Sequence, residues 1–191
     1  MNTFEITHRW HVVQSSQGRD YVYPASVSPE MKKEYCGPAV YRWMVSTPND
    51  RIYAYYVGET TSLAGRIQQY VCPGKQQATN LRLKAYFDQA VSQGKRVEVQ
   101  RLVFEPFQLN HITFSMERLT QTHIRRILEN LTLAWLDIEN GPIVLNRILE
   151  QDKARSKKNL DSALTALKQY GLTPQQASQL LDQLKVHGRS C

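Results

Sequence analysis

Residues 39–70 contain two apolar runs followed by a segment with helical periodicity, and this stretch gives the clearest indication of the fold. The first run is Ala39-Val-Tyr-Arg-Trp-Met-Val45, the second is Ile52-Tyr-Ala-Tyr-Tyr-Val-Gly58, and Ser46-Thr-Pro-Asn-Asp50 separates them. β-Branched and aromatic residues favour strands and the intervening residues favour a turn, so the pattern predicts a β-hairpin. Both strands are apolar on both faces, which predicts that other elements cover each side of the sheet.

A helix follows the hairpin at once. Its apolar positions recur at helical spacing, at Leu63, Ile67, Tyr70 and Val71. Thr60 or Thr61 is placed to cap this helix, and Cys72-Pro73-Gly74 ends it. Within the second strand, parity places Tyr53 and Tyr55 on the face opposite Tyr56.

The later pattern predicts a helix over 80–93, a strand over 97–104, an irregular connection over 105–114 and a long helix over 115–138. Upstream, Ser28-Pro29-Glu30 predicts a short helix capped by Ser28. The expected fold class is α/β (α+β), with a small three-stranded antiparallel sheet flanked by helices and a C-terminal helical hairpin. The expected division is an N-terminal extension (1–36), a core (37–150), and a basic linker with a helical tail (151–191).

The charge balance favours an anionic partner. The 191 residues contain 24 Lys and Arg against 17 Asp and Glu, a formal net charge of +7. Such an excess favours nucleic acid first, although a solvated basic surface is the plainer interpretation.

Cysteine content and hydropathy bear on the compartment. The three cysteines, Cys36, Cys72 and Cys191, are odd in number and show no CxxC spacing. This argues against a disulfide framework or a zinc ribbon and predicts a reducing cytoplasm. The sequence has no apolar stretch of membrane-spanning length and no secretory signal at its start, so we expect no membrane partner.

Chemistry-bearing residues stand in a fixed order along the chain. Ala39-Val40-Tyr41 and Tyr56-Val57-Gly58 lie on the hairpin, and Arg66 and Tyr70 lie one helical turn apart behind it. Later come Glu129, at the edge of the apolar stripe of the long helix, and Asn146. The planar fork of an arginine suits phosphate, and one carboxylate with phosphate oxygens and waters is a common way to hold Mg²⁺.

This ordered set, over about residues 37–148, resembles the GIY-YIG nuclease family. The two triplets match the family's strand motifs, and Thr60, Leu63 and Arg66 match its first helix. The resemblance implies that Glu129 binds one Mg²⁺, for which Mn²⁺ can substitute. It further implies that Tyr41 activates water, with a phenol pKa that Arg66 or the metal must lower.

The resemblance assigns the remaining roles as well. Arg66 steadies the scissile phosphate, Tyr56 and Tyr70 position water or phosphate, and Asn146 supports the site by hydrogen bonding. The sequence departs from the family at Ala39, where glycine is usual, and at Glu59, where a neutral or basic residue is frequent. Two interpretations of Glu59 stay open, since a carboxylate there can repel DNA or join the metal site.

The expected partner is double-stranded DNA. Candidate DNA-contacting cations are Lys75, Lys84, Arg147, Lys153, Arg155, Lys157 and Lys158. The short chain favours a sequence-specific, restriction-like endonuclease, and a palindromic site would require a homodimer. The alternatives are a structure-selective repair or recombination nuclease, a non-catalytic nucleic-acid-binding module and an adaptor that uses residues 160–186.

Overall fold

A five-stranded sheet forms the centre of the molecule, in the strand order β1-β4-β2-β3-β7. The computed structural model describes residues 7–15, 18–109, 112–138 and 142–146. The strands are β1 (His8–Val12), β2 (Ala39–Ser46), β3 (Ile52–Thr60), β4 (Arg96–Phe104), β5 (Phe107–Leu109), β6 (Ile112–Phe114) and β7 (Ile143–Val144). The helices are α1 (Pro29–Glu34), α2 (Leu63–Val71), α3 (Ala78–Ser92) and α4 (Thr122–Ile138), and a 3₁₀ turn spans Glu117–Thr120.

The predicted hairpin is confirmed. β2 and β3 pair antiparallel, with Tyr41 opposite Gly58 and Trp43 opposite Tyr56. Asp50 closes the connecting turn with a φ of 57°, a left-handed conformation that aspartate tolerates better than most residues. β4 then pairs antiparallel with β2, as the predicted third strand requires.

The expectation of three strands is wrong, because the sheet has five. β1 adds antiparallel to β4 at one edge, and β7 adds parallel to β3 at the other. β1 is a half-exposed edge strand with the sequence HRWHV, and β7 has only two residues. Neither is long or apolar enough to give a periodic strand signal of its own.

Two apolar cores cover the two faces of the sheet. The first lies under α4 and includes Val40, Tyr55 and Val57. The second lies under α1, α2 and α3 and includes Tyr41, Trp43 and Tyr56 from the same two strands. Adjacent residues therefore face opposite cores, as strand parity predicts, and the expectation that both faces are covered is confirmed.

Outside the hairpin, some predicted elements are confirmed and others differ in the structure. Ser28 caps α1 through a bond from the Met31 amide, with Pro29 in the first turn, as expected. The stretch predicted to be irregular contains two antiparallel strands, β5 and β6, with Phe107 stacked on Phe114 at 4.7 Å. α4 begins at Thr122 after the 3₁₀ turn, later than expected. The predicted helical tail lies outside the described residues.

The N-terminal segment packs into the same cores as the hairpin. It contributes buried apolar side chains to the core under α1–α3, namely Val13, Tyr21, Tyr23, Val27, Met31 and Tyr35. Within the described part of the chain, no helix has the length and apolarity needed to cross a bilayer.

Candidate active site

Tyr41 lies over a glycine on the neighbouring strand. Gly58 is its cross-strand partner, and a Cβ built at Gly58 would lie 2.6 Å from Cζ of the Tyr41 ring. Only glycine leaves room for the phenol in this position. The Gly of the second triplet therefore has a packing reason that the sequence pattern did not show.

α2 brings Arg66 and Tyr70 to the Tyr41 hydroxyl. Ser62, rather than Thr60 or Thr61, is the N-cap, and its side chain accepts from the Gly65 amide. The helix is also tied to the chain before β2, because the Leu63 and Ala64 amides donate to the carbonyls of Gly37 and Tyr35. With its start so held, its i and i+4 residues face the hairpin.

The Tyr41 hydroxyl is the centre of a hydrogen-bond network. Arg66 Nε donates to Tyr41 Oη at 3.1 Å, and the hydroxyls of Tyr41 and Tyr70 are 2.7 Å apart. The Arg66 guanidinium also lies over the Tyr70 ring at 4.9 Å. Tyr56 completes the group through an edge-on contact with Tyr70, at 6.0 Å between ring centroids. The structure thus brings together four of the residues that the sequence singled out.

Burial governs the ionisation of the phenols. It raises the pKa of Tyr41, an effect that Arg66 and the Tyr70 hydrogen bond oppose without overcoming it. Burial also raises the pKa of Tyr70 well above its ordinary value. Both are neutral phenols at pH 7. Arg66 acts on the Tyr41 pKa in the expected lowering direction, but its effect is smaller than that of burial, and the expected effect of a metal stays a prediction.

Arg66 keeps its charge in this setting. Burial works against the cation, but the phenol oxygens of Tyr41 and Tyr70 more than offset it and raise the pKa of Arg66. A permanent cation beside two phenol hydroxyls is suited to an anionic group such as a phosphate ester.

Glu129, on α4, acts electrostatically on the same phenol. It is half-buried on α4, directly after the buried Leu128. Its negative charge is among the influences that raise the pKa of the Tyr41 phenol. The predicted position at the edge of the buried stripe is confirmed, and this position brings the carboxylate's charge to bear on the phenol network.

Asn146 is a buried link to β3. Its Oδ1 accepts from the Val57 amide at 2.8 Å, and its Nδ2 donates to the Val57 carbonyl at 2.7 Å. The side chain therefore satisfies both backbone groups of the residue between Tyr56 and Gly58. A side-chain amide is needed for this, because only an amide both accepts and donates at adjacent atoms without a charge.

Sequence reasoning missed Arg125, a buried cation that pairs with Glu59. Arg125 is 2% exposed, and its Nε donates to Glu59 Oε2 at 2.6 Å. The neighbouring Arg126 is exposed. Its spacing in the sequence was the available indication of burial. Arg125 precedes Leu128 by three residues and therefore lies on the flank of the apolar stripe.

Most of the cations predicted to contact DNA lie outside the described residues, and two of them lie within these residues. Lys75 is exposed between α2 and α3. Lys84 forms an ion pair with Asp88 at 2.7 Å and lies 3.4 Å from the Tyr23 hydroxyl. The other candidates, Arg147, Lys153, Arg155, Lys157 and Lys158, lie outside the described residues.

The acidic residues fit one kind of metal site. Across the described residues there is no cluster of three or more His, Cys, Asp or Glu that could form an all-protein cage. Glu59 is paired with Arg125, and Glu129 is the carboxylate whose charge acts on the Tyr41 phenol. A single carboxylate fits Mg²⁺ that takes its remaining ligands from water and substrate phosphate.

Comparison with family models, with curated proteins and with solved structures finds no match to this chain.

Proposed function

We propose that this protein is a metal-dependent DNA endonuclease that hydrolyses phosphodiester bonds, similar in its core to the GIY-YIG nucleases. The observation that carries the proposal is the Tyr41 hydroxyl, which meets Arg66 and Tyr70 while the Glu129 charge acts on it. These residues come from a strand and two helices far apart in sequence. Their convergence supports a site for an anionic substrate more than an ordinary aromatic core does.

Each residue of the site has a separate role in the proposed cleavage of a phosphodiester bond. Arg66 supplies a fixed positive charge for the scissile phosphate. Tyr41 Oη would be the proton acceptor once a cation bound at Glu129 adds to the effects of Arg66 and the Tyr70 hydroxyl, which favour the phenolate form but do not overcome burial by themselves. Glu129 would hold Mg²⁺ or Mn²⁺, which supplies charge neutralisation at the phosphate when bound. Asn146 keeps β3 in place beneath these groups.

The substrate we favour is double-stranded DNA, cut at specific sequences. The net charge of +7 supports an anionic partner. Restriction-like cleavage at palindromic sites would use a homodimer, which the mass in solution tests. Location in the cytoplasm remains a prediction from the cysteine pattern.

The decisive experiment is Mg²⁺-dependent cleavage of long mixed-sequence DNA. Wild type is compared with Glu129→Gln, and with Glu105→Gln as a matched removal of an exposed carboxylate. Discrete bands from wild type and Glu105→Gln alone support a sequence-specific enzyme. Smears or nicks favour a structure-selective nuclease, and salt-sensitive binding without cleavage favours a non-catalytic binder.

Arg66 has its own test in the same assay. Arg66→Ala should lower the single-turnover rate by about 10²-fold or more, because a charge partner of the transition state is removed. Arg51→Ala, at an exposed position in the hairpin turn, is the control. A rate for Arg66→Ala that stays near wild type contradicts the phosphate role.

A further inference from the structure

Arg125 joins three parts of the chain at one buried point. Besides Glu59 Oε2, its guanidinium donates to the carbonyls of Leu119 at 2.7 Å and Thr120 at 3.1 Å, and to Thr122 Oγ1 at 3.2 Å. These partners belong to the end of β3, the 3₁₀ turn and the start of α4. One side chain therefore fixes where α4 begins relative to the hairpin.

The pair joins β3 and α4, the two elements that carry Gly58 and Glu129. Glu59 directly follows Gly58, the residue under the Tyr41 ring. Arg125 precedes Glu129 by one helical turn on the same flank of α4, because residues four apart are neighbours on a helix. The bond from Arg125 to Glu59 thus ties the strand that carries Gly58 to the helix that carries Glu129.

Stability alone is a weak reason for such a pair. Replacing a buried ion pair with apolar residues of similar volume is often neutral or stabilising. A buried arginine with a directional fork is better suited to setting the relative position of two elements. The Glu59 side chain is only 21% exposed and accepts a hydrogen bond from Arg125, so its negative charge is already neutralised by the arginine.

We propose that Glu59 and Arg125 are positioning residues that hold Glu129 in register with the Tyr41 network, and that Glu59 is not itself a cation ligand. The inference rests on the proposed function for the role of Glu129. It resolves the two interpretations that the sequence left open for Glu59. The carboxylate that replaces the family's neutral or basic residue here acts through Arg125.

The test uses Tb³⁺, a hard cation whose emission is sensitised by nearby tyrosines, on the full-length chain. Glu129→Gln should abolish the sensitised emission. Glu59→Gln and Arg125→Met should each raise the Tb³⁺ dissociation constant by about tenfold or more, because loss of the pair lets α4 shift and displaces Glu129; losses of this size are typical when the groups that orient a metal ligand are removed. Glu105→Gln should leave it unchanged.

The direction in which Arg125→Met changes the Tb³⁺ dissociation constant shows whether Glu59 is a positioning residue or a cation ligand. If Glu59 were a ligand restrained by Arg125, freeing it would tighten Tb³⁺ binding, which would overturn the proposal. A lower melting temperature with unchanged Tb³⁺ affinity would show a merely structural pair and would also overturn it. So would the absence of Glu129-dependent emission in wild type.

Two further variants keep the test decisive. Circular dichroism checks each fold, and if Arg125→Met does not fold, Arg125→Lys and the double variant Glu59→Gln/Arg125→Met replace it. Both should bind Tb³⁺ more weakly than wild type, and wild-type affinity in both would overturn the proposal.

The cleavage assay gives an independent readout of the same pair. For the two single variants we expect an unchanged KM for DNA and a lower kcat that recovers at high Mg²⁺. A raised KM with an unchanged kcat would overturn the positioning role. Wild type that binds Tb³⁺ through Glu129, with the expected variant effects but without cutting DNA, would support the pair and contradict the nuclease proposal.

Discussion

Tyr41 shows how tightly one residue can be specified by its surroundings. It is 1% exposed, with hydrogen bonds to Arg66 and Tyr70 at its hydroxyl and Gly58 beneath its ring. The hydroxyl position therefore depends on a residue that carries no functional group. In the Tyr56-Val57-Gly58 motif of β3, the missing side chain of Gly58 makes room for the Tyr41 ring, and Tyr56 adds an aromatic side chain to the group.

Gly58→Ala should displace the Tyr41 ring. We expect a loss of about 1–3 kcal/mol in the free energy of unfolding, typical of overpacking a filled core. Gly37→Ala is the matched control, because a Cβ at Gly37 meets nothing within 4 Å. Urea unfolding measures both, and equal stability of the two variants would contradict the close packing at Gly58.

Glu98 predicts a pH dependence of stability. Burial raises the pKa of its carboxyl in the folded chain, although Arg96 opposes the rise. The folded pKa of this carboxyl exceeds its unfolded pKa. Its protonated form therefore contributes to the free energy of unfolding at low pH, and this contribution is lost as pH rises through the folded pKa.

Glu98→Gln should therefore gain stability relative to wild type between pH 4 and pH 7, since glutamine resembles the protonated form. Urea unfolding at about pH 4 and about pH 7 measures the change. Glu105→Gln, at an exposed position, serves as the reference. A difference between Glu98→Gln and wild type that shrinks or stays constant over this range would count against the raised pKa.

Among the elements, β3 receives the links that assemble the site. It pairs with β2 and β7, its Val57 backbone is bound by Asn146, and Glu59 near its end is bound by Arg125. The hairpin itself was predictable because alternation and turn residues act over a few positions. The edge strands β1 and β7 were not, because short strands form only when a neighbouring edge is available.

Asn146→Asp should weaken the link between β7 and β3. An ionised carboxylate cannot donate to the Val57 carbonyl, which leaves a buried acceptor unpaired at a cost of about 1–3 kcal/mol at neutral pH. The protonated acid can donate, so the deficit relative to wild type should narrow in acid.

Asn49→Asp, in the exposed hairpin turn, is the matched control for this change. Chemical unfolding of both variants at neutral and acidic pH gives the comparison. A deficit for Asn146→Asp that is absent at neutral pH, or that widens in acid, is incompatible with the two bonds to Val57.

At the scale of the whole molecule, the N-terminal segment is part of the structural core. Tyr21 and Tyr23 make edge-on contacts with the buried Trp43, at 6.3 and 6.1 Å between ring centroids. Large aromatic side chains dominate the energy of such cores. The packing of Trp43, and through it of Tyr70 at 5.6 Å, depends on residues that precede the hairpin.

Deletion of residues 1–36 should expose Trp43 and abolish cooperative unfolding. The expected readouts are a red-shifted tryptophan emission and loss of the near-ultraviolet dichroism. Full-length Trp10→Phe is the control, because it also lacks the emission of Trp10. A truncated chain that unfolds cooperatively with blue-shifted emission would show that the core does not need this segment.

The amino-acid pattern alone was enough to predict the hairpin and the buried stripe of α2. It also shows the order of the candidate residues Tyr41, Tyr56, Arg66, Tyr70 and Glu129. Each follows from side-chain character and spacing within one element. Three contacts became visible only in the folded chain: the Tyr41 and Tyr70 hydroxyls meet, the buried Arg125 pairs with Glu59, and Asn146 binds the Val57 backbone. These contacts join residues 29, 66 and 89 positions apart. They depend on how elements pack, which the periodicity of a single element does not contain.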